Sequence, residues 1–328
     1  MRLQLGGGSD HARAYATGVT GTTPWVHRLG LGLAAVGRPA YITLGRSEDL
    51  AAARSVEDLE ARSHRLLDRA FELGVRHVDA ARSYGLAERF LGSWLAAHPG
   101  RRAQLTVGSK WGYEYVGGWS LDAPLHERKD HRPQVLDRQW PQTLEALGGP
   151  PDTYLVHSVT PDSPALADAV LLDRLRALAG AGVRVGISTS GPAQGDVVER
   201  ALALPGNPFS VVQSTWNLLE RSVGPALARA HDAGWLVVVK EGVANGRLTA
   251  RGAPAEVARL AALDGQTPDA FALGAVLAQP FADVVLSGAV TTAQLEQNLA
   301  ARPPAVVPAG VVEEPAAYWR TRSTLPWA

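Results

Sequence analysis

The sequence predicts a single-domain (β/α)₈ barrel with long loops at the carboxyl-terminal face of its strands. Short apolar runs alternate with amphipathic stretches through most of the 328 residues, which is the pattern of strands followed by helices. Eight such runs fall within about 260 residues, a number and spacing typical of this barrel. Two connections are too long to be turns, and in a barrel long connections of this kind carry binding and catalytic residues.

The predicted elements follow one another in a regular order along the chain. We expect strands at 29–33, 76–79, 105–108, 153–156, 183–187, 211–214, 235–239 and 284–286. Helical patterns follow them at 66–71, 90–95, 136–147, 171–178, 197–204, 226–230, 271–278 and 295–300. In the third of these helices Leu136, Trp140 and Leu144 recur every four residues, and Gly148 with the prolines after it ends the helix.

The remaining segments define the domain boundaries. The long connections span 111–131 and 241–265, after the third and seventh predicted strands. Residues 1–24 are rich in glycine, serine and threonine, so we expect a flexible lead-in there. Residues 25–328 then form the barrel domain with a C-terminal extension.

A doubly wound sheet is the competing architecture. It normally carries a glycine-rich phosphate loop directly after its first strand. Gly30 and Gly32 lack the third glycine three positions later, and no helix start follows them. The barrel is therefore favoured.

Composition excludes several classes of function. The chain has equal numbers of acidic and basic residues and a pI near 7.2, whereas nucleic-acid binders usually carry a basic excess. It has no cysteine, which excludes a disulfide framework, a thiolate zinc site and a cysteine nucleophile. No segment has the apolar length of a signal peptide or a membrane span. We therefore expect a cytoplasmic enzyme acting on a small molecule, without nucleic-acid or membrane partners.

Four polar side chains lie at the ends of consecutive predicted strands. Asp79 ends the second strand, Tyr84 follows five residues later, Lys110 ends the third strand and His157 ends the fourth. Each residue alone has an ordinary structural explanation, such as a turn cap or a packed aromatic ring. Together, at the same face of one barrel, they predict a common pocket.

This combination suits the transfer of a proton to a carbonyl oxygen. Tyrosine has an ordinary pKa near 10, and a neighbouring ammonium lowers that pKa while a carboxylate holds the ammonium in place. A histidine orients the oxygen by a hydrogen bond or assists the proton relay. The matching electron pair must come from elsewhere, and a nicotinamide is the natural hydride donor.

The sequence resembles the aldo-keto reductases over about residues 26–301. The segments that carry the resemblance are HVDAARSYGLAERFLG at 77–92, VGSKWG at 107–112, DTYLVH at 152–157, VGIS at 185–188, QSTWNLL at 213–219 and GRLT at 246–249. They occur in the order expected for that family. The resemblance implies reduction of an aldehyde or ketone, or the reverse reaction, with a nicotinamide cofactor.

The resemblance also implies a role for each matching residue. Tyr84 would be the general acid, Lys110 would lower its pKa, Asp79 would pair with Lys110, and His157 would orient the substrate oxygen. Ser188 and Gln213 would hold the nicotinamide carboxamide. Ser287, Gly288, Gln294 and Asn298 would meet the adenosine end of the cofactor, and Gly32, Lys240, Gly246 and Leu248 would complete the cofactor site.

Three departures from the family pattern bear on the cofactor. Thr189 stands where asparagine is common, and Lys240, followed by Glu241, replaces an aromatic residue that packs on the nicotinamide. Near Gly288 and Gln294 there is no basic residue to neutralise a 2′-phosphate. NADPH is the cofactor that the resemblance implies first, and NADH is the alternative.

Aromatic residues are the candidates for substrate contact. Trp111, Tyr115 and Trp119 lie in the first long connection, and Trp216 lies near the end of the sixth predicted strand. They form either a substrate-facing wall, which offers stacking area at low entropic cost, or a lid that packs on its own barrel.

Three other functions compete with carbonyl reduction. A metal-dependent hydrolase barrel would need histidine and carboxylate ligands such as His-x-His after the first strand, and 29–33 contains none. A non-catalytic nucleotide-binding barrel and an NAD-dependent dehydrogenase of sugar aldoses or lactols both remain compatible with the motifs.

Lysine is scarce in this chain. There are 29 arginines and only three lysines, Lys110, Lys129 and Lys240. A lysine retained in such a sequence suggests a need for a compact ammonium with an adjustable pKa, which arginine does not provide. These three positions are therefore candidate functional positions.

Overall fold

The computed structural model describes residues 23–50 and 53–327. The predicted lead-in at 1–24 lies outside the described residues except for its last two positions. None of the described helices is long and apolar enough to cross a membrane.

Eight parallel strands close into a barrel, which confirms the predicted fold. The chain also forms two short antiparallel strands outside it. The strands are β1 (Leu29–Gly32), β2 (His77–Asp79), β3 (Thr106–Trp111), β4 (Tyr113–Tyr115), β5 (Glu127–Lys129), β6 (Thr153–Val159), β7 (Arg184–Thr189), β8 (Val211–Thr215), β9 (Leu236–Lys240) and β10 (Val284–Ser287). Around the barrel the order is β1, β10, β9, β8, β7, β6, β3 and β2, and β4 pairs with β5.

Helices surround the barrel. They are α1 (Arg46–Leu50), α2 (Val56–Glu72), α3 (Ala87–Ala97), α4 (Pro133–Leu147), α5 (Ala169–Gly180), α6 (Gln194–Leu202), α7 (Gly224–Asp232), α8 (Ala255–Leu263), α9 (Pro268–Leu277), α10 (Thr292–Leu299) and α11 (Pro315–Ser323). All eight helical patterns of the sequence are confirmed. The structure adds α1, α8 and α11, which the sequence analysis missed.

Both long connections contain secondary structure. The 111–131 connection forms the β4–β5 hairpin, and the 241–265 connection contains α8. The apolar residues of α8 are mostly alanines, with only Val257 and Ala261 buried, so its periodic signal is weak. α11 likewise buries only Tyr318, which explains why an apolar pattern did not reveal it.

Local sequence signals account for the helix ends. Ser55 caps α2, because its hydroxyl accepts a hydrogen bond from the backbone N–H of Asp58 at 3.1 Å while the Asp58 carboxylate accepts one from Ser55 N. Gly148 ends α4 with φ +73°, a left-handed conformation that glycine adopts without steric cost.

The apolar core has two parts that hold the site in place. Inside the barrel, a small cluster of Leu155, Val211, Val238, Val284 and Leu286 fills the floor. A larger cluster lies between the strands and the surrounding helices. The polar ends of the strands therefore stand on a packed floor, at the carboxyl-terminal face.

Candidate active site

The structure brings the four predicted catalytic residues together at the carboxyl-terminal face of the barrel. Asp79 is the last residue of β2, Lys110 lies in β3, and His157 lies in β6. Strand register places Asp79 beside Gly108, two residues before Lys110. Tyr84 lies on the turn between β2 and α3 and lines the same central cavity as Asp79 and His157.

Lys110 is the centre of a hydrogen-bond cluster. Its ammonium donates to Asp79 Oδ2 at 2.5 Å, to the carbonyl of Ala80 at 2.9 Å and to Tyr84 Oη at 3.2 Å. An ammonium has three N–H donors, so all of them are used, one by the phenol. Lys110 is fully buried and Asp79 is 4% exposed, so water competes little for these bonds. Gln213 Nε2 donates to the other Asp79 oxygen at 3.0 Å.

The turn that carries Tyr84 is held by close backbone packing. Gly85 has φ +61°, and a Cβ atom there would lie 2.4 Å from the carbonyl oxygen of Gly37. The same carbonyl accepts a hydrogen bond from Leu86 N at 2.8 Å. A side chain at position 85 would push the turn away, so glycine is required to set the position of the neighbouring phenol.

The net shift of the Tyr84 pKa is upward, because burial outweighs the effect expected of Lys110. Burial, followed by the negative charges of Asp79 and Glu127, raises the pKa of Tyr84 well above its usual range. The negative charge of Asp79, which pairs with Lys110 at 2.5 Å, offsets part of the effect of the ammonium on the phenol, while the hydrogen bond from Lys110 to Tyr84 remains. Tyr84 is therefore a neutral phenol near pH 7, which is the form that donates a proton.

His157 is a neutral imidazole beside Tyr84. The two ring centroids are 5.4 Å apart, and the rings meet edge to face. Burial, followed by the positive charges of Lys110 and Lys240, holds the pKa of His157 well below its usual range. Its Nδ1 lies 3.4 Å from Ser83 Oγ. A neutral imidazole has one N–H that can donate a hydrogen bond to an oxygen without acting as a strong acid.

Two further ion pairs line the cavity, and the sequence analysis did not find them. Arg38 pairs with Glu127 of β5 at 2.9 Å, and Arg322 of α11 pairs with Glu241 at 2.5 Å. Of these four residues, only Glu241 had been noted from the sequence. The partners in each pair are 89 and 81 residues apart in sequence, so no local pattern indicates that they meet.

A groove extends the central cavity toward β10. The central cavity and an outer cavity share Tyr41, Val243, Gly246 and Gly288 among their lining residues. Of the predicted cofactor residues, Gly32, Gln213, Lys240, Gly246, Ser287 and Gly288 line the central cavity, and Gly246, Gly288, Gln294 and Asn298 line the outer one. The groove thus joins most of the positions that the resemblance implies for a dinucleotide.

Two predicted cofactor residues do not line the groove. Ser188 is fully buried, and its hydroxyl accepts a hydrogen bond from Ser158 N at 2.7 Å. Leu248 is fully buried in the apolar cluster near α8 and α11. Thr189, at the position where asparagine is common, lies with its hydroxyl 2.6 Å from that of Ser214. Ser158, which the sequence analysis missed, lines the cavity instead of Ser188.

Buried polar atoms without partners occur at both ends of the groove. Gln213 Oε1 in the central cavity and Asn298 Oδ1 in the outer cavity are buried and accept no hydrogen bond in the described structure. Such an acceptor is costly unless a ligand donates to it. A nicotinamide carboxamide and an adenine amino group are donors of this kind, so the residues present fit a dinucleotide.

The four aromatic residues predicted to contact substrate lie outside the cavity lining. Trp111 is fully buried and Trp216 is 4% exposed, both in the core cluster. Successive strand residues point to opposite faces, so Trp111 must point away from the barrel interior that its neighbour Lys110 enters. Tyr115 Oη accepts a hydrogen bond from Trp119 N at 3.1 Å, and Trp119 Nε1 donates to the carbonyl of Arg54 at 2.9 Å.

Other aromatic side chains do line the cavity. Tyr41 and Trp327 are among its lining residues, and Trp327 stacks on His126 with centroids 4.4 Å apart. Trp327 is brought there by the segment after α11, which pairs with Ile42. Within the described ranges, no group of three or more histidine and acidic side chains could hold a metal ion.

A barrel with a buried Asp–Lys–Tyr cluster, a neutral histidine and a groove along its carboxyl-terminal face suits oxidation and reduction of carbonyl groups. The sequence matches the profile of the Aldo/keto reductase family over residues 28–307. The chain belongs to the aldo-keto reductase family, whose members are oxidoreductases that act on small carbonyl compounds or alcohols with a nicotinamide cofactor. No curated protein matches the sequence.

Solved structures share the fold at low sequence identity. An aldo-keto reductase from Bacillus halodurans is 21% identical with a TM-score of 0.65, and the match covers 90% of this chain and 91% of that one. A glycerol dehydrogenase from Gluconobacter oxydans is also 21% identical with a TM-score of 0.60, over 83% of this chain and 86% of that one.

Proposed function

We propose that this chain reduces an aldehyde or ketone and that Tyr84 donates the proton. The observation that carries the proposal is the hydrogen bond from buried Lys110 to Tyr84, 3.2 Å long, at a phenol that lines the cavity. A nicotinamide held in the groove beside Gln213 would supply the hydride for the carbonyl carbon. Tyr84 supplies the proton for the carbonyl oxygen, so one C=O bond becomes CH–OH with charge balanced.

The neighbouring residues determine how the proton moves. A carbonyl oxygen that accepts hydrogen bonds from Tyr84 and His157 lies where negative charge develops during reduction. When Tyr84 gives up its proton, the Lys110 ammonium stabilises the phenolate through the existing hydrogen bond. Asp79 keeps that ammonium in place through its 2.5 Å ion pair, so Asp79 is a positioning residue.

The protonation states support reduction over oxidation near neutral pH. Because burial raises the pKa of Tyr84, the phenol required for reduction persists through neutral pH, while the phenolate required for alcohol oxidation is scarce. An aldose or lactol dehydrogenase on this site would need that phenolate.

That the substrate is a free small molecule, and that the protein is cytoplasmic, stay predictions from the sequence.

The pH dependence tests the assignment of the acid. We expect kcat/KM for aldehyde reduction to stay level from about pH 6 to about pH 9, and the rate of alcohol oxidation to rise across that range. Both would be followed by nicotinamide absorbance at saturating cofactor, with a panel of aldehydes and their alcohols. A reduction rate that falls around neutral pH would contradict the role of Tyr84. Tight cofactor binding without turnover of any substrate would favour a nucleotide-binding protein.

The charges of the outer cavity support NADH as the preferred cofactor, although the family resemblance by itself implies NADPH. The two arginines that line this cavity are already engaged. Arg251 donates to both oxygens of Asp49, at 3.0 and 2.7 Å, and to Glu48 at 3.1 Å. Arg46 is buried and donates to the carbonyls of Ala35 and Arg38. A 2′-phosphate would have to displace a carboxylate from Arg251, whereas a ribose hydroxyl can donate to one.

The variant Asp49→Asn tests this preference. It removes a carboxylate from the outer cavity and releases one side of the Arg251 guanidinium, so we expect kcat/KM with NADPH relative to NADH to rise about tenfold. Asp173→Asn is the matched control, because Asp173 forms an exposed ion pair with Arg176 at 2.6 Å outside the groove. A wild-type protein that prefers NADPH, or an unchanged ratio in Asp49→Asn, would refute the NADH assignment.

A further inference from the structure

The positive and negative charges in and directly beneath the lining of the central cavity do not balance. Three carboxylates line it, and each has its own cation: Lys110 pairs with Asp79 at 2.5 Å, Arg38 with Glu127 at 2.9 Å and Arg322 with Glu241 at 2.5 Å. Lys240 also lines the cavity. When Lys110, which lies beneath the lining, is counted, the site holds one positive charge more than its carboxylates neutralise, and the unpaired charge is that of Lys240.

Lys240 has no partner among the described residues. It ends β9 beside Thr215 of β8, and no described carboxylate lies within 4.0 Å of its ammonium, nor does the ammonium donate a hydrogen bond to any described atom. The adjacent Glu241 does not serve it, because both Glu241 oxygens accept from Arg322 and one also accepts from Thr215. A partly buried cation without a partner is costly, and an anionic ligand removes that cost.

We propose that Lys240 binds an anionic group of the substrate, so that the enzyme acts on carbonyl compounds that carry a carboxylate. This inference rests on the proposed function, since the carbonyl must reach Tyr84 while the carboxylate reaches Lys240. An ammonium and a carboxylate form a charge-assisted hydrogen bond that a neutral carbonyl compound lacks. Lys240 is then a specificity residue outside the proton relay.

The position of Lys240 favours the substrate over the cofactor's phosphates. Lys240 lines the central cavity with Asp79, Tyr84 and His157, but it is absent from the lining of the outer cavity. Its positive charge also contributes to the lowered pKa of His157, in keeping with their shared cavity. The structure thus puts the surplus charge where a substrate would lie.

The charge of Lys240 provides a pH signature. The pKa of Lys240 is lowered to about 8, mainly by burial; Glu241 and Asp79 oppose the shift, and the positive charges of Arg322 and Lys110 add to it. The ammonium is present below this pH and is lost above it. Preference for an acidic substrate should therefore decline as pH rises through about 8, while the level of Tyr84 protonation changes little.

The test compares 4-formylbenzoate with its neutral methyl ester. These aldehydes share the ring and the reacting carbonyl, and they differ in the charge at the opposite end. We expect wild-type kcat/KM to favour the acid, and Lys240→Met to lower the acid-to-ester ratio roughly 10- to 100-fold, mainly through KM of the acid. In Lys240→Met this ratio should no longer depend on pH near 8.

Two further variants make the comparison specific. Lys240→Arg keeps a cation and should restore most of the preference for the acid. Lys129→Met makes the same chemical change at the exposed Lys129, which donates to Thr160 at 2.6 Å, and should leave the ratio unchanged. An acid-to-ester ratio that Lys240→Met does not alter would overturn the proposal. The proposal would also be overturned if Lys240→Met raised the dissociation constant of the cofactor and lowered kcat/KM equally for both aldehydes. Lys240 would then bind the cofactor and not the substrate.

Binding measurements separate this inference from the proposed function. Calorimetric titration of the cofactor-loaded protein with 4-formylbenzoate and with the ester needs no turnover. Tighter binding of the acid, lost in Lys240→Met, supports the inference even if neither aldehyde is reduced, and the lack of reduction would then refute the proposed function alone. Equal binding of acid and ester by a protein that reduces both would refute the inference alone.

Discussion

Tyr84→Phe should abolish carbonyl reduction while leaving cofactor affinity nearly unchanged. Only the hydroxyl is lost, and it is the proposed proton donor, so kcat should fall by a factor of about 10² to 10⁴. The aromatic ring keeps its packing against His157, whose centroid lies 5.4 Å away. Steady-state turnover of an aldehyde panel and a fluorescence titration with cofactor measure the two effects.

Tyr154→Phe provides the matched control for this change. Tyr154 is fully buried in β6, and its hydroxyl lies 3.1 Å from that of Thr143, away from the cavity lining. Loss of that hydrogen bond should cost about 1 kcal/mol of stability and leave turnover intact. Retention of wild-type turnover by Tyr84→Phe would show that another group donates the proton.

Lys110→Met should destabilise the protein and eliminate activity together. The change leaves the Asp79 carboxylate, 4% exposed, without its cation, and breaking a buried ion pair in this way costs about 3–5 kcal/mol. It also removes the donor that stabilises the Tyr84 phenolate. Thermal unfolding measures the first effect, and aldehyde turnover measures the second.

The double variant Asp79→Asn with Lys110→Met separates stability from catalysis. Neutralising both partners removes the buried unpaired charge, so we expect most of the lost stability to return without recovery of turnover. If the double variant retained aldehyde turnover, the Asp79–Lys110 ion pair would have a structural role only. Lys129→Met, at an exposed lysine, should show neither the stability loss nor the activity loss.

The sequence determined the architecture because its signals are local. Each strand is a short apolar run and most helices carry a periodic face, so eight strands and eight helices could be located, although α2 begins ten residues before its predicted pattern. The exceptions are elements with weak apolar periodicity: α8 is rich in alanine, and α11 buries only Tyr318. Short strands such as β4 and β5 are exposed or half-buried, and they also lack an apolar run.

The positions of the four catalytic candidates followed from the same local signals. Asp79, Lys110 and His157 lie at or near the carboxyl ends of their strands, and any closed parallel barrel brings those ends together. The aromatic residues were harder to assign, because the direction of a side chain depends on strand alternation and packing. Trp111 carries an aromatic ring next to Lys110, yet alternation turns the ring into the core.

Only the tertiary structure decided the charge balance of the cavity. The pairs Arg38–Glu127 and Arg322–Glu241 join segments that are far apart in sequence, and each pair forms only because the hairpin and α11 fold over the barrel mouth. The sequence singled out Lys240 as one of three lysines among many arginines. The fold then paired the surrounding carboxylates with other cations and left Lys240 without one, because ion pairing depends on distance in space and not on order along the chain.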